Sequence, residues 1–313
     1  MRAGLRIDVD THEGMRDGVP RLLETLGRRR IRATFYVAMG PDNSGRAVFG
    51  ALFRRGFLSK MLRTKAVSTY GWRTILSGTL LPARPVGSSR PDLMKRIAGE
   101  GHEVGPHSWD HRRWQDKLDR LRPEAVRGDF AMAVEALHKA TGGDVVTSAA
   151  PAWLTNSDGL LYQEEFGLTF ASDCRGSSPF YPRTGGRDLV TLQLPASLPT
   201  LDEKLGAGCE APGDYYAQVA ELLGGANDAG AYHVLTVHAE TEGRGAAGEF
   251  ERFLEETSER HEWAPLGELA REWRAKAPRC EMTRGSVPGR HGEVSTQGRA
   301  VLDAAPAANG DER

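Results

Sequence analysis

The amino-acid sequence predicts an α/β fold in which about seven parallel strands, each followed by a helix or a long loop, curve into a distorted, TIM-like (β/α)7 barrel. Three observations carry this expectation. Short runs rich in β-branched and aromatic residues alternate with amphipathic helical runs. A chain of 313 residues suits one large domain, since α/β barrels routinely occupy about 200–250 residues. The residues with metal-ligand and acid–base character stand at the carboxyl ends of the strand-like runs, where parallel α/β folds gather function.

The elements follow in chain order. Residues 5–10 read as the first strand and 17–30 as an amphipathic helix with Val19, Leu22, Leu23 and Leu26 on one face. Residues 33–39, Ala-Thr-Phe-Tyr-Val-Ala-Met, form the second strand of an opening βαβ unit. Gly40-Pro41-Asp42-Asn43 breaks the pattern, which resumes with a helix over 91–100, ended by Gly101, and a strand over 103–108. Pro123 opens a helix reaching Thr141, with Val126, Phe130, Val134 and Leu137 inward. Strands over 147–153, 168–174, 189–194 and 232–240 alternate with helices over 156–166 and 214–226. Helices over 250–259 and 266–273 close a domain spanning 1–277. Beyond Pro278 the composition turns polar and Gly-rich, so 278–313 is expected to be an extension, disordered from about Ala304.

Charge is balanced overall, with 41 basic and 42 acidic residues, which gives no global attraction to nucleic acid. One segment departs sharply from that balance. Residues 44–90 contain no Asp or Glu but carry Arg46, Arg54, Arg55, Lys60, Arg63, Lys65, Arg73, Arg84 and Arg90, interleaved with aromatic and aliphatic residues including Phe53, Phe57, Tyr70 and Trp72. A basic amphipathic insertion of this kind suits an anionic membrane surface, each cation near it contributing roughly 1 kcal/mol. The three cysteines, Cys174, Cys209 and Cys280, include no CxxC pair, so neither a disulfide framework nor a cysteine zinc site is expected, and a reducing compartment fits. The residues after Met1 do not read as a secretory signal, and no apolar run reaches the ~18 residues of a spanning helix. The expected state is soluble or peripheral, with no obligate protein partner evident.

The chemistry concentrates in two places. His107 and His111 stand four apart in Gly105-Pro106-His107-Ser108-Trp109-Asp110-His111, a spacing that on a helical turn stacks two imidazoles on one face, where they can share a divalent metal. A catalytic site needs a third protein ligand and an open position. Asp8 and Asp10 alternate around Val9 at the end of the first strand, so both emerge on one side, one to bind the metal and the other to stay free as a base.

These residues resemble the NodB-type polysaccharide deacetylases, carbohydrate esterase family 4. The family's first motif, an aspartate pair, is similar to Asp8-Val9-Asp10; its second, His-(Ser/Thr)-x-x-x-His, to His107–His111; and its last, Leu-x-x-His, to Leu235-Thr236-Val237-His238. Further phrases resemble one branch, the 4-deoxy-4-formamido-L-arabinose-phosphoundecaprenol deformylases: Gly4 to Thr11, Gly40-Pro41-Asp42-Asn43, Tyr70-Gly71-Trp72, Ser172-Asp173-Cys174-Arg175-Gly176 and His238-Ala239-Glu240. That resemblance implies removal of a formyl group from an aminosugar carried on a polyprenyl phosphate, in the lipid A modification that confers polymyxin resistance, at the cytoplasmic face of the bacterial inner membrane. Two departures stand out. Val9 separates aspartates that are adjacent in the wider family, and the third motif, Arg-x-Pro-Tyr, falls at Ala149-Ala150-Pro151-Ala152 without its arginine and tyrosine. The residue that tunes Asp8 must lie elsewhere, with Arg175 as the candidate.

The resemblance implies that Asp10, His107 and His111 hold one divalent ion, zinc, manganese or cobalt, with Asp8 as general base. His238 is then the general acid, oriented by Asp173, and a backbone N–H after Pro151 serves the oxyanion. His12, His102 and His233 are expected to be non-ligands. Arg54, Arg55, Lys60, Arg63, Lys65 and Trp72 are expected to meet the lipid and its phosphate. Two other readings compete: a soluble polysaccharide or peptidoglycan deacetylase, and a non-catalytic lipid- or glycan-binding protein on the same scaffold.

Overall fold

A computed structural model describes residues 2–45, 82–225, 231–290 and 292–301. Most of the basic insertion, including Arg54, Arg55, Lys60, Arg63, Lys65 and Trp72, lies outside the described residues, as does the segment from Ala304.

Strand β1 (Arg2–Val9) is buried along almost its whole length, as expected for a strand covered on both faces. A π-helical turn (Gly14–Gly18) leads into α1 (Val19–Arg29), whose Val19, Leu22, Leu23 and Leu26 are buried, each contributing roughly 1.5–3 kcal/mol. The helix stops where Arg30 takes a left-handed conformation, φ 56°. β2 (Thr34–Val37), α2 (Pro91–Gly99) and β3 (Glu103–Pro106) follow, then α3 (His111–Lys117), a short helix that the hydrophobic pattern did not announce. α4 (Pro123–Thr141) starts on its proline and ends at left-handed Gly142. Its buried stripe runs through Val126, Phe130, Ala133, Leu137 and Ala140, with Val134 only half-buried.

Next come β4 (Thr147–Ser148), α5 (Ser157–Glu165), β5 (Phe170–Ala171), the paired β6 (Tyr181–Thr184) and β7 (Arg187–Asp188), and β8 (Leu192–Gln193). α6 (Leu201–Lys204) and α7 (Pro212–Gly224) precede β9 (Val234–His238), and a second π-helical turn (Thr241–Gly245) precedes α8 (Ala247–Ser258). β10 (Glu262–Ala264) and α9 (Leu266–Trp273) complete the domain. After Pro278 the chain forms β11 (Arg279–Ser286) and β12 (Glu293–Ala300), an antiparallel hairpin in which β11 adds in parallel to β6. Over these residues the extension is ordered sheet; the polar composition concealed it because its partners are distant in sequence.

The barrel expectation is met by seven parallel strands. β9, β1, β2 and β3 form one run and β4, β5 and β8 a second, while β10 adds to the first residues of β1 as an eighth parallel strand outside the ring. Among the described residues one backbone hydrogen bond joins the runs on each side, Ala149 N to Pro106 O (3.2 Å) and Leu198 N to Val234 O (3.2 Å). The short strands and these sparse links are the distortion. All seven carboxyl ends face one side, where parallel α/β barrels carry their active sites.

His102 is a core residue: its Nδ1 accepts from Ala33 N (3.1 Å) and its ring meets Phe35 edge-on. Burial pushes it down to about 4. The unfolded chain therefore takes up this proton more readily than the native state, and the stability it contributes is complete above pH ~6.5 and lost as pH falls toward 4, up to about 3 kcal/mol. Urea titrations at pH 7 and pH 4.5 should show His102→Gln losing less stability on acidification than wild type; an equal loss in both would remove His102 from the account.

Candidate active site

β1 delivers the first carboxylates. Its parallel register sets Asp8 opposite Tyr36 on β2 and His238 on β9, so Asp8 and His238 stand side by side, and Asp10 follows just past the strand end. His107 follows β3, held by His107 N to Val37 O (2.9 Å). His111 opens α3, whose N-cap Asp110 accepts from Arg113 N (2.9 Å). The two histidines are therefore brought together by a strand, a turn and a helix start, and not by one helical face. Ser108 makes the turn in a left-handed conformation, φ 65°, and its neighbours are pinned: buried Asp129 of α4 accepts from Trp109 N (2.8 Å) and Asp110 N (3.2 Å), and Asn43 donates to Asp110 (2.9 Å). Gly40 is required beneath this turn, since a Cβ there would lie 2.5 Å from Trp109 O.

The outcome is a compact ligand set. One ligand atom each from Asp10, His107 and His111 lie within 4.8 Å of one another. Asp10 stands 3.5 Å from His107 Nε2 and 3.3 Å from His111 Nε2, and its buried Oδ1 has no hydrogen-bond partner among the described residues. His107 Nδ1 contacts Ala149 O (2.8 Å), which fixes that nitrogen as the N–H donor and leaves Nε2 bare toward the carboxylates. Against its burial, the imidazoles of His111 and His107 hold Asp10 well below the usual carboxylate range. An orphaned carboxylate oxygen facing two ring nitrogens is a donor set that suits a divalent transition metal.

Asp8, 2% exposed, is not part of that set; its Oδ2 is 3.7 Å from His107 Nε2. Its partner is Arg6, whose Nε and Nη2 each donate to one carboxylate oxygen at 2.7 Å. Arg6 is fully buried between the rings of Tyr36 (5.2 Å) and Trp153 (5.4 Å) and also donates to Ser172 Oγ (3.1 Å) and Ser172 O. Among the described residues, the guanidinium paired with Asp8 thus comes from within β1 and not from the third-motif position. Arg175, the candidate for this task, is committed elsewhere: it donates to Ala196 O (2.9 Å), Leu198 O (2.9 Å) and Glu203 (2.7 Å).

His238 is half-buried, and desolvation disfavours its charge, but the carboxylates of Asp202, Asp10, Asp8 and Glu240 outweigh that and lift it to about 9, poised as a proton donor. Asp173 does not orient it. The Asp173 carboxylate accepts from Ala150 N (2.8 Å), Gln193 (3.1 Å) and Gln163, bracing the turn over Pro151–Trp153, where Ala152 and Trp153 hold φ of 53° and 54°. The foremost opposing charge at His238 is Asp202, from α6. Of two further carboxylates, Glu242 escaped the sequence reading and Glu240 entered it only as part of a branch-like phrase, without a role. Burial raises both Glu240 and Glu242, the latter to about 7, and Glu242 accepts from His238 N (2.7 Å). His12, His102 and His233 lie outside the ligand set.

The described ends of the insertion meet beside this site. Asp42 N donates to Arg84 O (2.8 Å) and Val86 N to Gly40 O (2.8 Å), while His12 Nδ1 contacts Pro85 O (2.9 Å). Among the described residues no helix is long and apolar enough to cross a membrane.

The polysaccharide deacetylase family model matches residues 8–171, from Asp8 through β5. A protein of Shewanella sediminis named "Probable 4-deoxy-4-formamido-L-arabinose-phosphoundecaprenol deformylase ArnD" is 37% identical over 301 residues, 96% of each chain. A protein of the same name from Wigglesworthia glossinidia brevipalpis is 31% identical, covering 92% of this chain and 99% of its own. Among solved structures, a polysaccharide deacetylase from Mycobacterium smegmatis shares the fold at TM-score 0.64 and 21% identity, over 91% of this chain and 94% of that one. The aspartate and histidine motifs and the strands β2 to β5 fall within the matched segment, and the chain belongs to the polysaccharide deacetylase family.

Proposed function

We propose that this chain removes the N-formyl group from 4-deoxy-4-formamido-L-arabinose carried on undecaprenyl phosphate, a step of lipid A modification linked to polymyxin resistance, as a peripheral protein at the cytoplasmic face of the bacterial inner membrane. One observation carries the reading: a carboxylate outside the ligand set, Asp8, stands beside Asp10, His107 and His111 in a chain matched almost end to end by relatives named for that reaction. Asp10, His107 and His111 would hold one divalent ion, zinc, manganese or cobalt. When bound, such an ion brings a water's pKa toward neutrality and polarises the formyl oxygen.

The protein's own groups do the rest. Asp8, fixed by Arg6, accepts the proton that the attacking water gives up as its oxygen bonds to the formyl carbon. The N–H of Ala152, in the strained turn after Pro151, donates to the developing oxyanion. As the C–N bond breaks, His238 gives its proton to the departing nitrogen, leaving formate and the amine. The cations of residues 44–90, Arg54, Arg55, Lys60, Arg63 and Lys65 among them, together with Trp72, would bring the site to an anionic bilayer in which the prenyl chain remains.

Paired N-formyl and N-acetyl 4-amino-4-deoxy-arabinosyl prenyl phosphates test the reading, with chelator-stripped protein as control. Metal-dependent release of formate, exceeding acetate by about 10- to 100-fold as one methyl in a pocket allows, is the expected result. Activity confined to acetylated glucosamine oligomers would replace it with a general deacetylase.

A further inference from the structure

The β11–β12 hairpin lies beyond the matched family segment, yet it is built into the strand-end face of the barrel. Arg175 N donates to Ser295 O (2.9 Å) and Gln297 N to Arg175 O (2.8 Å). Ser295 Oγ accepts from Thr155 N (2.9 Å), and Gln297 Oε1 accepts from Ser177 N (3.0 Å) and Ser178 N (3.2 Å). The turn of the hairpin closes on α6: at Gly289, φ +85°, a Cβ would lie 2.0 Å from Glu203 O, so only glycine lets the turn approach. Its neighbour Arg290 is thereby set with its guanidinium 4.6 Å from the Trp153 ring. Arg6, the partner of Asp8, and Arg175 approach the same ring at 5.4 Å and 4.9 Å, so one indole connects Arg290 to the proposed base.

We propose that this hairpin is part of the active site and that Arg290 forms a subsite for the anionic phosphodiester through which the sugar is carried. The proposal rests on the substrate reading above. Two guanidinium groups face one carboxylate here: Glu203 is held by Arg175 (2.7 Å) and by Thr200 N (3.0 Å), while Arg290 Nη1 reaches it only at 3.4 Å. Among the described residues Glu203 is the one charged partner of Arg290, so cationic N–H groups remain for a ligand. The Arg290 side chain is 17% exposed and can meet a ligand from solvent. Among the described residues the buried Trp153 Nε1 is a donor without a partner, so the surroundings offer donors to an anion. A guanidinium laid on an aromatic face with free N–H edges suits fork-like recognition of phosphate oxygens. The formamide end of the sugar then lies toward Asp8 and the ligand set, and its phosphate end toward the hairpin.

The test uses the full-length, metal-loaded protein and the variants Arg290→Gln and Arg290→Lys, with Arg299→Gln, exposed on β12, as control. Geranyl phosphate and inorganic phosphate are titrated separately by calorimetry. Arg290→Gln should weaken geranyl phosphate binding about 10- to 100-fold, with Arg290→Lys intermediate and Arg299→Gln unchanged. In turnover, Arg290→Gln should lower kcat/KM for the lipid-linked formamide about 10- to 100-fold more than for the phosphate-free methyl 4-formamido-arabinoside. Equal binding of geranyl phosphate by wild type and Arg290→Gln, or equal loss on both formamides, would overturn the subsite. Inorganic phosphate binding as tightly as geranyl phosphate would reassign it to free phosphate and overturn the substrate role. The titrations need no turnover, so they judge the subsite even if no formate is released.

Discussion

Asp8→Asn is expected to lower formamide hydrolysis by about 10²- to 10⁴-fold in metal-loaded protein while the metal stays bound. The amide keeps the size of the side chain but cannot accept a proton, and none of the ligand atoms of Asp10, His107 and His111 is altered. The substitution also touches the core. Arg6 would face a neutral amide in place of a carboxylate, keeping its bonds to Ser172 but losing its counter-charge in a site of zero exposure. Rates must therefore be compared per folded, metal-loaded molecule, by quantifying bound metal alongside formate release. Loss of rate with full metal occupancy separates the base from the ligands. Full rate in Asp8→Asn would eliminate Asp8 as the base, and loss of the metal would move Asp8 into the ligand set.

Much of this site was legible because it follows local periodicity. The alternation of Asp8 and Asp10 along β1 placed both at one strand end, and the spacing of His107 and His111 announced a shared ligand set, although a strand–turn–helix assembles it. The same two-residue period puts Arg6 on the face of Asp8, so an arginine two residues before the aspartate on one strand was a readable signal for the partner of Asp8. What stayed hidden depends on tertiary partners. Asp173 sits at a strand end, as a His238 partner should, but Gln163 and Gln193 take its oxygens, and no local pattern distinguishes it from Asp202. The hairpin over 279–300 reads as a polar tail because its strands are specified by pairing with β6 and with the segment around Arg175, far away in sequence.

The Arg6–Asp8 pair makes the second large prediction. Both side chains are essentially without exposure, so each charge is tolerable only because the other is present at 2.7 Å. Arg6→Met fills most of the volume but strands a buried carboxylate and removes a donor from Ser172 O, and should cost about 3–5 kcal/mol in denaturant unfolding. Asp8→Asn alone should also destabilise, because it strands the guanidinium. The double variant Arg6→Met/Asp8→Asn leaves neither charge behind and should be destabilised by clearly less than the sum of the singles, with a coupling of roughly 1–3 kcal/mol. Additive losses would mean that the two groups do not depend on each other. Activity carries the same logic further: Arg6 holds both oxygens of Asp8 in place, so Arg6→Met should lose rate even where the protein remains folded. A variant that kept the wild-type rate would show that Arg6 only supports the fold.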